Sequence, residues 1–121
     1  MDILISTTGS KPIYVQIAEQ IQRQILTGEL KEGSLLPSIR VLAKELHISV
    51  MTSKTAYQEL EIQGLIHSVQ GKGFYVSPQN TETLEDKKSD LIAGKLEELA
   101  EEAKALGIEL EQLVKILKRV Y

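Results

Sequence analysis

Apolar residues return at intervals of three and four along the first part of the chain. Tyr14, Ile17, Ala18, Ile21 and Ile25 fall on one helical face, with Pro12 in the first turn and Gly28 as a stop. Residues 29–37 break the period, hold Gly33 and Pro37, and are expected to form a loop. Ser38 is a good N-cap for a second, short helix, whose core positions Ile39, Leu42, Ala43 and Leu46 leave Arg40 and Lys44 on the opposite side. His47 and Ile48 make a tight break, Ser49 is another N-cap, and a third helix runs to about Gln63 before Gly64 stops it. Within it Ala56 and Leu60 face inward with Ile48, while Met51, Lys54, Thr55 and Gln58 share the outer face.

The pattern then becomes extended. Residues 65–69 and 74–76 flank QGKG at 70–73, whose glycines allow the positive φ values of a hairpin turn. Residues 77–83 lose all periodicity and read as a linker. From Leu84 onward Ile92, Leu96, Leu99, Ala103 and Leu106 step by four, three, four and three, and Gly107 ends that helix. Leu110, Leu113, Val114, Leu117 and Val120 form the stripe of a last, shorter helix. Two thin helices cannot bury both stripes alone. A second copy is the expected cover, with C2 symmetry, through Ile92, Leu96, Leu99, Ala103, Leu106, Leu110, Leu113, Val114 and Leu117.

The fold class that follows is mainly α. A winged helix-turn-helix, three helices plus a β-hairpin wing, occupies residues 1–76, a linker 77–83, and a two-helix dimerisation tail 84–121. In such a module the third helix enters the major groove of DNA.

Composition narrows the chemistry. The chain of 121 residues has no cysteine, which excludes disulfides and thiolate sites and suits a reducing compartment. His47 and His67 stand far apart without partners at ligand spacing, so neither a metal site nor a cofactor is expected. No nucleophile stands beside a base, so an enzyme is not expected. The glycines at 71 and 73 lack the surroundings of a phosphate-binding loop. Glu97, Glu98, Glu101 and Glu102 read as a solvated helical face with lysine partners. The N-terminus resembles no export signal, and no stretch reaches the roughly 18 apolar residues of a membrane span, so the cytoplasm is the expected location.

Net charge is −3, but its distribution matters more than its sum. Residues 1–80 carry seven Lys/Arg against seven Asp/Glu, and residues 81–121 carry seven against ten. The front module is therefore neutral, and a DNA reader built on it needs its cations gathered on one face and doubled by dimerisation. The rival reading is a winged-helix protein-interaction adaptor without specific DNA binding.

The strings PIYVQI at 12–17, LPSIRVLA at 36–43, AYQEL at 56–60, GLI at 64–66 and GKGFYV at 71–76 resemble the GntR family of bacterial transcription regulators. The short tail, with AKALGI at 103–108 leading into the last helix, resembles the YtrA-type subfamily. The resemblance implies a sequence-specific DNA-binding regulator, commonly a repressor, that binds a short inverted repeat as a homodimer. Duplex operator DNA and a second copy are the partners it implies; a small-molecule effector remains open, and no membrane is involved. Carried over by position, it implies DNA contacts at Arg40, Ser49, Thr52 and Lys54 and at the wing tip, Gly71 and Lys72. Ser38, Val50, Met51, Thr55 and Gln58 complete the expected reading surface. The chain departs from the family at Val50 and Thr55, where basic residues are common. Val50 and Met51 are instead suited to apolar contact with thymine methyl groups.

Overall fold

A computed structural model describes residues 1–121. The elements run α1 (Ile13–Leu26), α2 (Ile39–Leu46), α3 (Val50–Ile62), β1 (Ile66–Val69), β2 (Gly73–Val76), α4 (Thr81–Ala105) and α5 (Leu110–Val120). They divide into two compact units, Met1–Thr81 and Glu82–Tyr121.

The core of the first unit is built where the apolar positions of α1 and α3 meet. Ile17, Ile21, Leu42, Ala56, Tyr57, Leu60, Leu65 and Val76 are all but inaccessible to solvent, and each large aliphatic among them contributes about 1.5–3 kcal/mol by burial. Both short helices open on the serines the sequence marks. Ser38 Oγ accepts from the Val41 N–H at 3.1 Å, and Ser49 Oγ accepts from the Thr52 N–H at 3.0 Å. At the other end of α2, Ile48 N–H donates to Ala43 O at 3.0 Å and His47 N–H to Lys44 O at 3.4 Å. This is a Schellman closure, and it places His47 in the left-handed region with φ 55°. The closures of α3 and α4 place glycines, Gly64 and Gly107, at the same point.

β1 and β2 pair antiparallel with Ile66 opposite Val76 and Val69 opposite Gly73. Lys72 N–H donates to Val69 O at 2.9 Å, and Gly71, third in that turn, has φ 77°, the sign a type II turn needs there. Part of the expected 29–37 loop runs beside β2, with Leu35 opposite Tyr75 in an isolated antiparallel bridge. Gly33 N–H donates to Val76 O, Val76 N–H to Ser34 O and Leu36 N–H to Phe74 O, all at 2.8–2.9 Å, so residues 33–36 lie along the free edge of β2.

An N-terminal arm has no counterpart in the apolar pattern. Residues 2–6 run antiparallel to α1, held by glutamines four apart. Gln16 exchanges two hydrogen bonds with the main chain of Ser6 (2.8 and 2.9 Å) and Gln20 two with Leu4 (2.9 and 2.6 Å), while Gln24 donates to Asp2 O (2.7 Å). Each side-chain amide stands in for a peptide group of a neighbouring strand. Ile3 and Ile5, between these rungs, are half-buried.

In the second unit α4 begins at Thr81, so residues 81–83 are helical where a linker is expected. The helix is about 38 Å long. Along their lengths α4 and α5 hardly touch each other. Ile92, Leu96, Leu99, Leu106, Leu110, Val114 and Leu117 are exposed, and Leu113 is half-buried. Ala103 departs from this set: at the turn where its carbonyl accepts from Ile108 N–H (2.9 Å) it is buried, so it offers no free surface to a partner. Lys104 pairs with Glu101 at 3.7 Å, one turn away on the acidic face. No helix is long and apolar enough to cross a membrane.

Candidate nucleic-acid interface

The turn between α2 and α3 spans His47, Ile48 and Ser49, and the two helices pack through Leu42, Ala43, Ala56 and Tyr57. That packing leaves Ser38, Arg40 and Lys44 exposed on α2. On α3, Val50, Met51, Lys54 and Gln58 are exposed at helical spacing and form one continuous strip. Val50 and Met51 are 44% and 66% exposed, a degree of apolar exposure that the packing of the module itself does not require. The cations are free: Arg40, Lys44, Lys54 and Lys72 have no carboxylate within ion-pair distance, whereas Lys11 is held by Glu19 at 3.0 Å. Lys72 stands exposed at the wing tip beside Gly71.

The hydroxyls of α3 are less available. Ser49 Oγ both caps Thr52 N–H and lies 2.7 Å from Thr52 Oγ1, while Thr55 Oγ1 donates to Met51 O at 2.9 Å. Thr52 and Thr55 are half-buried, so Thr55 stands partly behind the outer strip rather than on it. What the strip presents is a cation between apolar side chains and an amide, with few free hydroxyls.

Two residues escaped the pattern reading. Ser53 and Tyr57 are fully buried, and with Ala56 and Leu60 they complete the i, i+3, i+4, i+7 face of α3. Their polar atoms disguised them, although the spacing alone marks them. Tyr57 Oη donates to Pro37 O at 2.6 Å, and burial, with Glu45 adding to it, pushes its phenol well above the ordinary tyrosine range. No group of three or more His, Asp or Glu could hold a metal ion.

The profile of the gntR family of bacterial regulatory proteins matches residues 13–76, from the first residue of α1 to the last of β2. The chain belongs to the GntR family. Like this GntR protein, the HTH-type transcriptional repressor YtrA of Bacillus subtilis has the tail as well as the front module: the two are 37% identical over 118 residues, 98% of this chain and 91% of the relative. Among solved structures, a GntR family transcriptional regulator from Listeria monocytogenes superposes with a TM-score of 0.76 at 35% identity, over 93% of this chain and 97% of that one. YtrA from Sulfolobus acidocaldarius, a GntR-family transcription factor, gives 0.63 at 34% identity, over 98% and 95%. The winged helix-turn-helix with a helical tail is thus the fold of this GntR chain, a DNA-binding transcriptional regulator.

Proposed function

We propose that two copies of the chain, joined through α4 and α5, bind a short inverted repeat in duplex DNA and repress transcription in the cytoplasm. The observation that carries this reading is the strip on α3, with free Lys54 among exposed Val50, Met51 and Gln58, together with free, exposed Arg40 on α2. The exposed stripes of the tail support the dimer, since a helix the length of α5 is marginal in water without a partner for its apolar face. With Arg40, Lys44, Lys54 and Lys72 in each copy, a dimer brings up to eight cations to phosphate, and the logarithmic salt slope of binding is at most about −7.

The test is selection of a duplex from a randomised library, followed by titration with the full chain and with Arg40→Ala and Lys54→Ala. Each substitution is expected to weaken binding by about 1–3 kcal/mol where it removes a base contact. Wild-type affinity in both variants, or affinity indifferent to salt, would sink the reading and point to a protein-docking winged helix. Repression itself is read from a reporter placed behind the selected site.

A further inference from the structure

We infer that Tyr57 is a positioning residue for DNA binding: by holding the Pro37 carbonyl it fixes the N-terminal end of α2, with Ser38 and Arg40, against α3. The inference rests on the proposed role of Arg40 as a DNA contact.

α2 has only eight residues, and its buried side chains, Leu42 and Ala43, lie at the end of its first turn and just after it. At the leading end Ser38, Arg40 and Val41 are exposed and Ile39 is half-buried, so the apolar contact that orients this end comes from Leu36, buried two residues before the cap. Tyr57 supplies an alternative anchor. It projects from the inner face of α3 with no accessible surface, and its hydroxyl donates to Pro37 O at 2.6 Å, one residue ahead of the Ser38 cap. The same ring meets Phe74 of β2 edge-on, with centroids 4.9 Å apart and planes at 64°. Phe74 O in turn accepts from Leu36 N–H at 2.8 Å. Leu36 and Pro37 are therefore held from two sides, by the wing sheet and by the phenol. One side chain of the reading helix thus touches both other segments that carry the expected DNA contacts, the start of α2 and the wing.

The hydroxyl is not needed to fill space, since phenylalanine keeps the ring and its contact with Phe74. Its removal leaves the Pro37 carbonyl without the donor it has in the fold. The consequence is looseness at the start of α2, not collapse of the core.

The experiment uses the full chain carrying Tyr57→Phe, with Ile21→Val as a core variant of mild destabilisation remote from α2. Amide hydrogen exchange is followed by NMR at Val41, whose N–H is capped by Ser38, and at Leu42, whose N–H bonds to Ser38 O at 2.9 Å. Affinity is measured by fluorescence anisotropy on a selected duplex of about 30 base pairs, long enough for two half-sites a helical turn apart. Tyr57→Phe is expected to speed exchange at Val41 and Leu42 about tenfold more than Ile21→Val does, and to weaken binding about tenfold. Arg40→Ala should then cost less in the Tyr57→Phe background than in the unchanged chain, because the guanidinium is already misplaced. Unchanged exchange at Val41 and Leu42 would overturn the anchoring. A loss of affinity no greater than that of Ile21→Val, with Arg40→Ala still costly, would overturn the link to binding. If Arg40→Ala alone binds like the unchanged chain, the assignment of this end as a DNA contact fails. The link from Tyr57 to binding falls with it, while the exchange data still decide the anchor.

Discussion

Replacing Gln20 by alanine should detach the N-terminal arm while leaving the helical module folded. The five hydrogen bonds that tie residues 2, 4 and 6 to α1 contribute about 1 kcal/mol each. Ile3 and Ile5, half-buried, add roughly 1 kcal/mol apiece. Against this stands a backbone-ordering cost of about 1–2 kcal/mol for each residue from 2 to 6. The two sides nearly cancel, so attachment is marginal, and Gln20→Ala removes two of the five bonds. Amide exchange at Leu4 and Ser6 is the direct assay, because both N–H groups donate to the ladder, at 2.9 and 2.8 Å. Both should lose protection together, and the urea midpoint should fall by no more than about 1–2 kcal/mol of stability. Gln20→Glu is a finer probe: a carboxylate still accepts from Leu4 N–H but cannot donate to Leu4 O, so protection should fall only part way. Retained protection at Leu4 in Gln20→Ala would refute the reasoning, as would a loss of stability on the scale of a core deletion.

Three further outcomes follow from features of the fold. Ser49→Ala removes the cap of α3 and should cost about 1 kcal/mol in a denaturant titration; an unchanged midpoint would mean that the 3.0 Å contact to Thr52 N–H contributes nothing. His47→Gly relieves the left-handed φ of 55° at the end of α2 and should raise stability by about 0.5–1 kcal/mol, the opposite of what most glycine substitutions do. Leu117→Glu places a charge in the exposed stripe of α5 and should convert the proposed dimer to monomer in sedimentation at micromolar concentration; a variant that stays dimeric would remove this stripe from the proposed interface.

The helix-turn-helix was legible because its signals are local and redundant. Ser38 and Ser49 cap where serines are expected to, and the apolar faces of α1 and α2 carry no polar intruders. Legibility fails where a polar side chain does a structural task. Tyr57 is buried through a hydroxyl bonded to Pro37, and the arm is held by Gln16, Gln20 and Gln24, a helical repeat of four that a search for apolar periodicity passes over. The bridge of Leu35 to Tyr75 inside the 29–37 loop is not legible, because its pairing comes from β2 and not from any alternation of its own. Thr81 as the start of α4 was missed because first turns are commonly polar, and residues 81–83 look like linker for that reason. The expected surface at Val50, Met51, Lys54 and Gln58 is exposed as read, whereas the turning of Thr55 toward Met51 and the burial of Ala103 depend on geometry that spacing does not carry.

The glutamine ladder also behaves as a gauge. Four residues of α-helix advance about 6.0 Å, and two residues of strand advance about 6.6 Å, so each rung slips by roughly half an ångström against the next. Over the three rungs at Gln16, Gln20 and Gln24 flexible side chains absorb the offset. The next positions at this spacing are Pro12 and Gly28, and neither has an amide to offer. Pitch mismatch and sequence therefore limit the rail to one stretch in one register. Deleting a single residue between Asp2 and Leu4 would carry the main-chain groups of residue 2 away from Gln24 and turn the side chain before Leu4 to the wrong face.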